Sequence, residues 1–271
     1  MGFTQTYPMQ RAHGVGELGF VFQGGRSCLS HLYQSGCTKI MMPKNHHVVP
    51  DAVVINTAGG LTGGDQISLS VELQEKCHLR LATQTAERIY RSTGPDASCC
   101  YDFKIGPDAS LEWMAQESIM FQGGRIERSI KVDMDGSSRL LLVEPVVLGR
   151  RAMGETVSSG SFRDKWRIFR DGELIFADNL RIHNFLRLGS KAALGGDTAF
   201  ATLLFVSPDA EEKAPLVKLS LNHQDRRAGC SAWNDFLLVR MTAPDGAALR
   251  KEVMKLVGLI TGRTLPRVWL M

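Results

Sequence analysis

The stretch Asn56-Thr57-Ala58-Gly59-Gly60-Leu61-Thr62-Gly63-Gly64-Asp65 decides the fold, because four of its glycines fall within six residues and an aspartate follows them. It lies between two segments with the pattern of strands. Residues 52–55 form an apolar run, and residues 67–73 alternate apolar and polar side chains, as a half-buried strand does. Glycine is favoured where the backbone needs a positive φ or where another group approaches it closely. The stretch is therefore either a phosphate-binding loop or a tight corner between strands.

The residues that follow the glycines favour the corner. A P-loop needs a Lys-Ser/Thr pair after its last glycine and opens a helix, whereas Asp65 and Gln66 follow here and introduce a strand pattern. A second glycine pattern, Gly14-Val15-Gly16-Glu17-Leu18-Gly19, matches the dinucleotide-binding string. No strand pattern precedes it and a strand pattern follows it, so it lacks the strand–turn–helix context of a nucleotide site.

Strand-like segments recur along the chain at short, regular intervals, which is typical of an all-β fold. The predicted strands are residues 18–22, 28–33, 39–42, 52–55, 67–73, 78–83, 100–105, 111–114, 126–132, 139–143, 165–170, 173–176, 201–205 and 236–241. Two short strings occur twice: GPDAS at residues 94–98 and 106–110, and FQGGR at residues 22–26 and 121–125. Such repeats are compatible with stacked sheets in which each layer reuses a corner.

Two helices are expected among these strands. Asp245 can cap a helix that ends at Gly262 and carries one apolar stripe formed by Leu249, Val253, Leu256, Val257 and Ile260. A second helix is predicted to start at Ser207-Pro208-Asp209, with Pro208 at its first position and Pro215 limiting or restarting it. We therefore expect one all-β domain over residues 1–271, with two helices.

Composition narrows the class of protein. The chain has 271 residues, a formal net charge of +4 and 44% hydrophobic residues, which is ordinary for a globular protein. No run of 18 apolar residues is present, and the N-terminus lacks the features of a secretory signal, so we expect a cytoplasmic protein that does not act at a membrane. Its basic residues are dispersed, which argues against nucleic acid as a partner.

Cysteine and histidine residues do not form a recognisable metal site. Six cysteines are present without a C-x-x-C motif, and reduced thiols are the expectation in a cytoplasmic chain. His46 and His47 are adjacent, but a structural site needs about four convergent ligands. We expect neither a stable metal site nor a resident cofactor.

Several further motifs, taken with the glycine stretch, resemble one known family. They are TQTAERIYRS at residues 83–92, LEWMAQE at 111–117, RRAMGE at 150–155, FRDKW at 162–166, SAWN at 231–234 and LPRVW at 265–269. In this order and spacing, from about residue 24 to residue 269, the chain resembles the urease accessory protein D family, also called UreD or UreH. The positions matching the family motifs are Gly59, Gly60, Gly63, Gly64, Asp65, Gln84, Glu87, Tyr90, Arg91, Gln116, Glu117, Arg150, Met153 and Glu155.

The resemblance implies a β-helix-like stack of strands with two helices, and a maturation factor that is not an enzyme. It implies binding to apo-urease, to UreF and, through UreF, to the GTPase UreG, in a complex that installs two nickel ions in urease. It also implies an internal water-filled passage that carries nickel in transit. The chain departs from the family pattern at Thr57, where proline is common, and at Glu87-Arg88, which stands in place of the commoner Thr-Lys or Glu-Lys pair.

Three carboxylates are candidates for nickel transit: Asp65, Glu112 and Glu144. Asp65 closes the glycine stretch, Glu112 is flanked by Leu111 and Trp113, and Glu144 interrupts an apolar run. A charge in an apolar setting needs a partner or a water-filled passage, and for Glu144 we expect a partner such as Arg150 or Arg151. Oxygen ligands hold a divalent cation loosely, which suits transit.

Two other functions stay open on the sequence alone. The chain could be a hydrolase or transferase using Asp65, Glu87 and Glu117, which would require a compact pocket containing a carboxylate of raised pKa. It could also be a scaffold that recruits partners without touching nickel. No G-x-S-x-G motif is present, and no nucleophile with an adjacent base is evident.

Overall fold

The computed structural model describes residues 10–44, 48–150, 153–221 and 227–271. Within these residues the chain forms seventeen strands and two α-helices. The strands are β1 (His13–Gln23), β2 (Arg26–Gly36), β3 (Thr38–Met41), β4 (Asp51–Asn56), β5 (Gln66–Leu73), β6 (His78–Thr83), β7 (Glu87–Ile89), β8 (Ala97–Ile105), β9 (Ser110–Met114), β10 (Ser118–Met120), β11 (Arg125–Met134), β12 (Arg139–Leu148), β13 (Ser161–Arg170), β14 (Glu173–Ile182), β15 (Ala199–Val206), β16 (Ala228–Trp233) and β17 (Phe236–Ala243). The helices are α1 (Ala210–Leu221) and α2 (Gly246–Thr261), and short 3-10 helices lie at Phe185–Gly189 and Arg267–Trp269.

The strands build two sheets, and the chain passes repeatedly from one sheet to the other. The first sheet has the order β14-β13-β11-β8-β5-β1-β2, and the second has the order β16-β17-β15-β12-β9-β6-β4-β3, with β7 and β10 attached beside β12. Strands in the middle of each sheet pair in parallel, for example β5 with β8 and β6 with β9, whereas the strands at the ends of the sheets pair antiparallel, for example β1 with β2 and β12 with β15. The expectation of stacked sheets resembling a β-helix, with two helices, is therefore confirmed.

A short third side closes each turn of the stack. Leu61 forms a parallel bridge with Ile89, Ile89 pairs with Met120, and Met120 pairs with Leu148. Leu61, Ile89 and Met120 are fully buried. This ladder of apolar side chains excludes water from the third side and keeps consecutive turns in register.

The glycine stretch is the corner that carries the chain from β4 in the second sheet to β5 in the first. A Cβ on Gly60 would lie 2.7 Å from the carbonyl oxygen of Arg88, and a Cβ on Gly63 would lie 2.2 Å from the carbonyl oxygen of Pro95. Both oxygens belong to the next turn of the stack. Glycine is therefore required here because neighbouring backbones approach too closely for a side chain.

Neither repeated string marks equivalent corners. The first GPDAS string leads from β7 of the second sheet into β8 of the first, whereas the second leads from β8 into β9 of the second sheet. The first FQGGR string makes the hairpin between β1 and β2 within one sheet, whereas the second links β10 to β11 across sheets. The interpretation of the repeats as one corner reused in each layer was therefore wrong, because each string occurs in two different kinds of connection.

The core lies between the sheets, and the helices cover the outer face of the second sheet. Phe103 and Trp113 are fully buried between the sheets. Leu141 of β12 and Leu203 of β15 instead pack outward in the same cluster as the predicted apolar stripe of α2. No helix in the described ranges combines the length and apolarity needed to cross a membrane.

Most of the predicted helix signals are confirmed. The Asp245 side chain accepts a hydrogen bond from the Ala248 amide at 2.9 Å, and Gly262 ends α2 with a φ of +65°. Helix α1 begins at Ala210, two residues after Pro208, and it continues through Pro215. The expectation that Pro215 limits or restarts this helix was wrong, because the helix remains continuous on both sides of it.

The Gly63 corner gives a direct test of the stacked architecture. Replacing Gly63 with alanine forces a Cβ against Pro95, so we expect a loss of about 1–3 kcal/mol in the free energy of unfolding. Urea denaturation measures this loss. Gly94→Ala is the matched control, because a Cβ at Gly94 meets nothing within 4 Å. Equal stability of the two variants would contradict the close backbone approach at this corner.

Candidate functional site

A buried charged cluster joins the two sheets, and we call it the interior cluster: Trp113, Arg128, Glu144, Asp164 and Trp166. Arg128 donates to Asp164 through Nε at 3.0 Å and Nη2 at 2.5 Å, and to Glu144 through Nη1. Trp113 Nε1 donates to Glu144 at 2.7 Å, and Trp166 Nε1 donates to Asp164 at 3.0 Å. Arg128 and Asp164 come from the first sheet and Glu144 from the second, so these bonds cross the core.

The interior cluster contains one guanidinium and two carboxyl groups in a setting almost free of solvent. Burial raises the pKa of Glu144 to about 7, while the positive charge of Arg128 opposes that rise. A charge buried at this depth is tolerated because each oxygen of Glu144 receives a hydrogen bond. The cluster is thus neutral when Glu144 is protonated and carries a net negative charge when Glu144 is ionised.

The partner of Glu144 differs from the expected one. Strand alternation turns Glu144 inward with Leu140 and Leu142, where Arg128 of the opposite sheet meets it. Arg150 lies past the end of β12 and pairs with Glu155, with Nε 2.8 Å from Oε2. The expectation of Arg150 was therefore wrong, and Arg151 lies outside the described residues.

A second polar feature, which we call the Glu87 chamber, is a cavity of about 50 Å³ whose lining includes Thr38, Asn56, Glu87, Tyr101 and Trp113. Asn56 Nδ2 lies 3.1 Å and 3.2 Å from the two carboxylate oxygens of Glu87. Burial raises the pKa of Glu87 to about 7, and the hydrogen bond from Asn56 opposes the rise. This carboxyl group therefore changes its charge near neutral pH.

Aromatic side chains connect the Glu87 chamber to the interior cluster. Trp113 lines the chamber and also donates to Glu144. Tyr101 lines the chamber too, with its ring centroid 5.2 Å from that of Trp113, and burial raises the pKa of its hydroxyl. The chamber and the cluster are thus neighbouring parts of one polar interior.

The three candidate transit carboxylates lie in three different settings. Asp65 accepts hydrogen bonds from the backbone amides of Ala12 and Thr62, each at 2.8 Å, and so fixes the glycine corner. Glu112 meets Arg263 at 2.8 Å on the helix-covered side of the second sheet, because strand alternation turns it opposite to Trp113. Of the three, only Glu144 belongs to the interior cluster.

The three carboxylates of the enzyme alternative do not share a pocket either. Glu117 turns toward α2, where its Oε1 lies 3.2 Å from Arg250 Nη1. Asp65 uses both oxygens in the glycine corner. Glu87 has the raised pKa that this alternative required, but its chamber has room for an ion or a few waters and not for an organic substrate.

The other motif positions form two structural groups. On the third side, Tyr90 packs edge-on against Phe121 at 5.0 Å, and the Arg150 guanidinium lies 4.3 Å above the Phe121 ring. Near α2, Gln116 donates to the backbone oxygens of Gln84 and Val268 at 2.9 Å and 2.8 Å. Arg91 accepts from Thr62 through its backbone oxygen at 3.1 Å, and Met153 is 73% exposed.

Sequence reasoning missed Arg128, Thr38 and the pairing of Asp164 with Trp166. A signal for Arg128 was present, because it shares the inward parity of Ile126, Ile130 and Val132 in a period-2 strand. An arginine in a row of buried positions predicts a buried acidic partner. No such pattern marks Thr38.

Replacing Arg128 tests how much the interior cluster contributes to the stability of the fold. Arg128→Met leaves Glu144 and Asp164 buried without their cation, so we expect a loss of about 3–5 kcal/mol in the free energy of unfolding. Arg139→Met is the control, because Arg139 is half exposed and its pair with Asp209 spans 3.6 Å. Equal denaturation midpoints for the two variants would show that the cluster does not hold the sheets together.

The raised pKa of Glu87 predicts a pH dependence of stability. Between its ordinary value of 4.5 and about 7 the folded chain keeps a proton that the unfolded chain has released. The stabilisation from this proton is complete below pH 4.5, falls as the pH rises and is gone above pH 7. Glu87→Gln should therefore reduce the stability difference between pH 5 and pH 8, on the order of 1–3 kcal/mol. Urea unfolding at both pH values measures this, and an unchanged difference would contradict the shift.

Comparisons with known proteins place these features in a family. The model of the family described as UreD urease accessory protein matches residues 12–270. A protein named urease accessory protein UreD from Chelativorans sp. (strain BNC1) is 43% identical over 265 residues, covering 97% of this chain and 95% of that protein. A protein of the same name from Rhizobium leguminosarum bv. trifolii (strain WSM2304) is 42% identical, and the match covers 96% of this chain and 96% of that protein. Another, from Mesorhizobium japonicum, is 40% identical, and the match covers 96% of this chain and 94% of that protein. The chain belongs to the UreD family of urease accessory proteins.

Proposed function

We propose that this chain is a non-enzymatic urease maturation factor that acts in the cytoplasm. In this proposal it binds apo-urease together with UreF and, through UreF, the GTPase UreG, and it assists nickel insertion into the urease active site. The observation that carries the proposal is the family match over residues 12–270, because it spans nearly the whole of this chain.

The polar interior supports a role in nickel transit. Glu144 lies in the interior cluster and Glu87 lies in a chamber that shares Trp113 with it, so the two carboxyl groups lie in neighbouring parts of the stack. Nickel favours imidazole nitrogen, so oxygen ligands hold it weakly and release it readily. Nickel is cargo in this scheme, and the chain needs no cofactor of its own.

We propose three transit carboxylates: Asp65, Glu112 and Glu144. They differ in the contacts that each must give up in order to bind nickel. Asp65 would have to exchange two backbone hydrogen bonds for nickel, and Glu144 would have to exchange bonds from Trp113 and Arg128. Glu112 would exchange a single, partly exposed contact with Arg263. Glu112 therefore needs the least rearrangement, although it lies apart from the interior.

Two competing functions differ from this proposal in what they require. A scaffold would recruit partners through its surface and would be indifferent to the charge of Glu144. An enzyme using Asp65, Glu87 and Glu117 would need these side chains in one substrate-sized pocket, and their directions and the 50 Å³ chamber give that reading little support. The purified chain is expected to hydrolyse neither urea nor GTP.

A nickel-loading experiment distinguishes a role in nickel transit from a role as a scaffold. Glu144→Gln keeps the shape of the side chain and an oxygen for Trp113 but removes the charge, so we expect complexes with urease and UreF to form while less nickel reaches urease. Asp65→Asn is the second variant, and Glu173→Gln on the exposed edge strand β14 is the control. The measurements are co-purification and nickel per urease active site.

Full nickel loading by both Glu144→Gln and Asp65→Asn would favour the scaffold. The maturation role itself is tested by omitting this chain. Urease co-expressed with the remaining accessory proteins should then lack nickel, and fully loaded urease would contradict the proposed function.

A further inference from the structure

We propose that a cleft between the two helices and the second sheet binds a single phosphate-type oxyanion, either free phosphate or the phosphoryl end of a larger molecule. We call it the basic cleft, and its charged lining consists of Glu112, Arg139, Asp209, Lys213 and Arg263. It lies on the helix-covered side of the second sheet, away from the interior cluster. The inference is therefore independent of the proposed function.

The first observation is that three positive side chains from separate elements line one cavity of about 80 Å³. Arg139 begins β12, Lys213 lies in α1 and Arg263 follows the end of α2. The lining also includes the buried side chains of Leu141 and Ile260. Because the fold gathers like charges from distant parts of the chain, their repulsion must be offset within the cleft.

The carboxylates of the cleft offset this charge only in part. Asp209 is shared, because its Oδ1 lies 3.6 Å from Arg139 Nη1 and its Oδ2 lies 3.3 Å from Lys213 Nζ. Glu112 Oε1 accepts a hydrogen bond from Arg263 Nη1 at 2.8 Å. Three cations therefore face two carboxylates among the described residues of the lining, which leaves the cleft with a net positive charge.

The second observation is that the ring of His78 lies in the same positive potential. Its Nδ1 lies 2.8 Å from Oγ of Ser110, which also lines the cleft. Burial lowers the pKa of His78, and the positive charges of Arg263 and Arg139 lower it further. The two arginines thus act together at a point beside the cavity, where an oxyanion would be stabilised by their combined field.

The shape of the donors and the size of the cavity favour a phosphate group. A guanidinium group can donate to two oxygens of a phosphate at once, and a lysine adds a point charge. A cavity of about 80 Å³ suits one tetrahedral oxyanion, whereas organic ligands occupy roughly 300–1,000 Å³. The side chains of Arg139 and Arg263 are 53% and 44% exposed, so the remainder of a larger molecule could extend into solvent.

The test is a titration of the full chain with inorganic phosphate by isothermal calorimetry, at pH 7 and constant ionic strength so that screening does not change. Arg139→Gln and Lys213→Gln are each expected to weaken phosphate binding by about tenfold, because each removes a charge-assisted contact. Lys218→Gln is the matched control, since it removes the same charge from an exposed position of the same helix outside the cleft. It should bind phosphate as the unaltered chain does.

Asp209→Asn should change the affinity in the opposite direction. It removes the carboxylate that competes with phosphate for Arg139 and Lys213, so phosphate should bind about two- to fivefold more tightly. A parallel titration with glycerol 3-phosphate distinguishes the two sources of the oxyanion. Comparable affinity for this monoester would indicate the phosphoryl end of a larger molecule, and affinity for inorganic phosphate alone would indicate the free ion.

The site would be overturned if the unaltered chain bound no phosphate at millimolar concentrations, or if Lys218→Gln weakened binding as much as Arg139→Gln. Selective weakening in Arg139→Gln and Lys213→Gln, with native circular dichroism spectra, would support the site whether or not the chain matures urease. If either variant fails to fold, Arg263→Lys decides, because it keeps the charge facing Glu112 and loses the guanidinium group. Weaker phosphate binding by Arg263→Lys would support the site, and unchanged binding would overturn it.

Discussion

The contact on which the structure most depends is the Arg128 guanidinium held between Glu144 and Asp164. A stack of parallel strands is joined by hydrogen bonds only within each sheet, so the two sheets adhere mainly through apolar packing, which has no directional preference. Arg128 adds a directional bond across the core, from β11 and β13 of the first sheet to β12 of the second. This contact mainly fixes the relative position of the two sheets, because the cost of removing three charges from water offsets most of their mutual attraction.

The glycine corner fixes the turns of the stack in the same way that Arg128 fixes the sheets. Gly60 and Gly63 let neighbouring backbones approach, and Asp65 then satisfies two amides that the corner leaves without partners. Removing the Asp65 carboxylate would leave the partly buried amides of Ala12 and Thr62 without this partner. A motif that looks like a ligand-binding loop in sequence thus has a role in the architecture.

Much of the fold could be predicted from the sequence because its signals are local. Strand-like runs at short, regular intervals located fourteen strands, and the cap at Asp245 and the stop at Gly262 located α2. Strands β7 and β10 were missed because three residues are too few to show a period, and their pairing depends on the turns stacked around them. Strand β16 was also missed, although its alternation was present.

The site was less predictable because it depends on which face each residue occupies. Glu112 and Glu144 have similar sequence settings, yet alternation sends one to the helix-covered face and the other to the core. The sequence could not tell that Arg128 would meet Glu144, since the two lie in different sheets. Among the described residues the Thr38 hydroxyl has no hydrogen-bond partner, and the sequence could not show this because it depends on the positions of all neighbouring side chains.

The carboxyl groups of this chain divide according to what donates to them. Asp65 accepts from two backbone amides, so it fixes the glycine corner. Glu144 and Asp164 share the Arg128 guanidinium, so they join one sheet to the other. Glu87 instead accepts from the Asn56 amide and faces a cavity, and burial raises its pKa to about 7. Similar carboxyl groups therefore differ in charge at neutral pH because the fold gives them different donors.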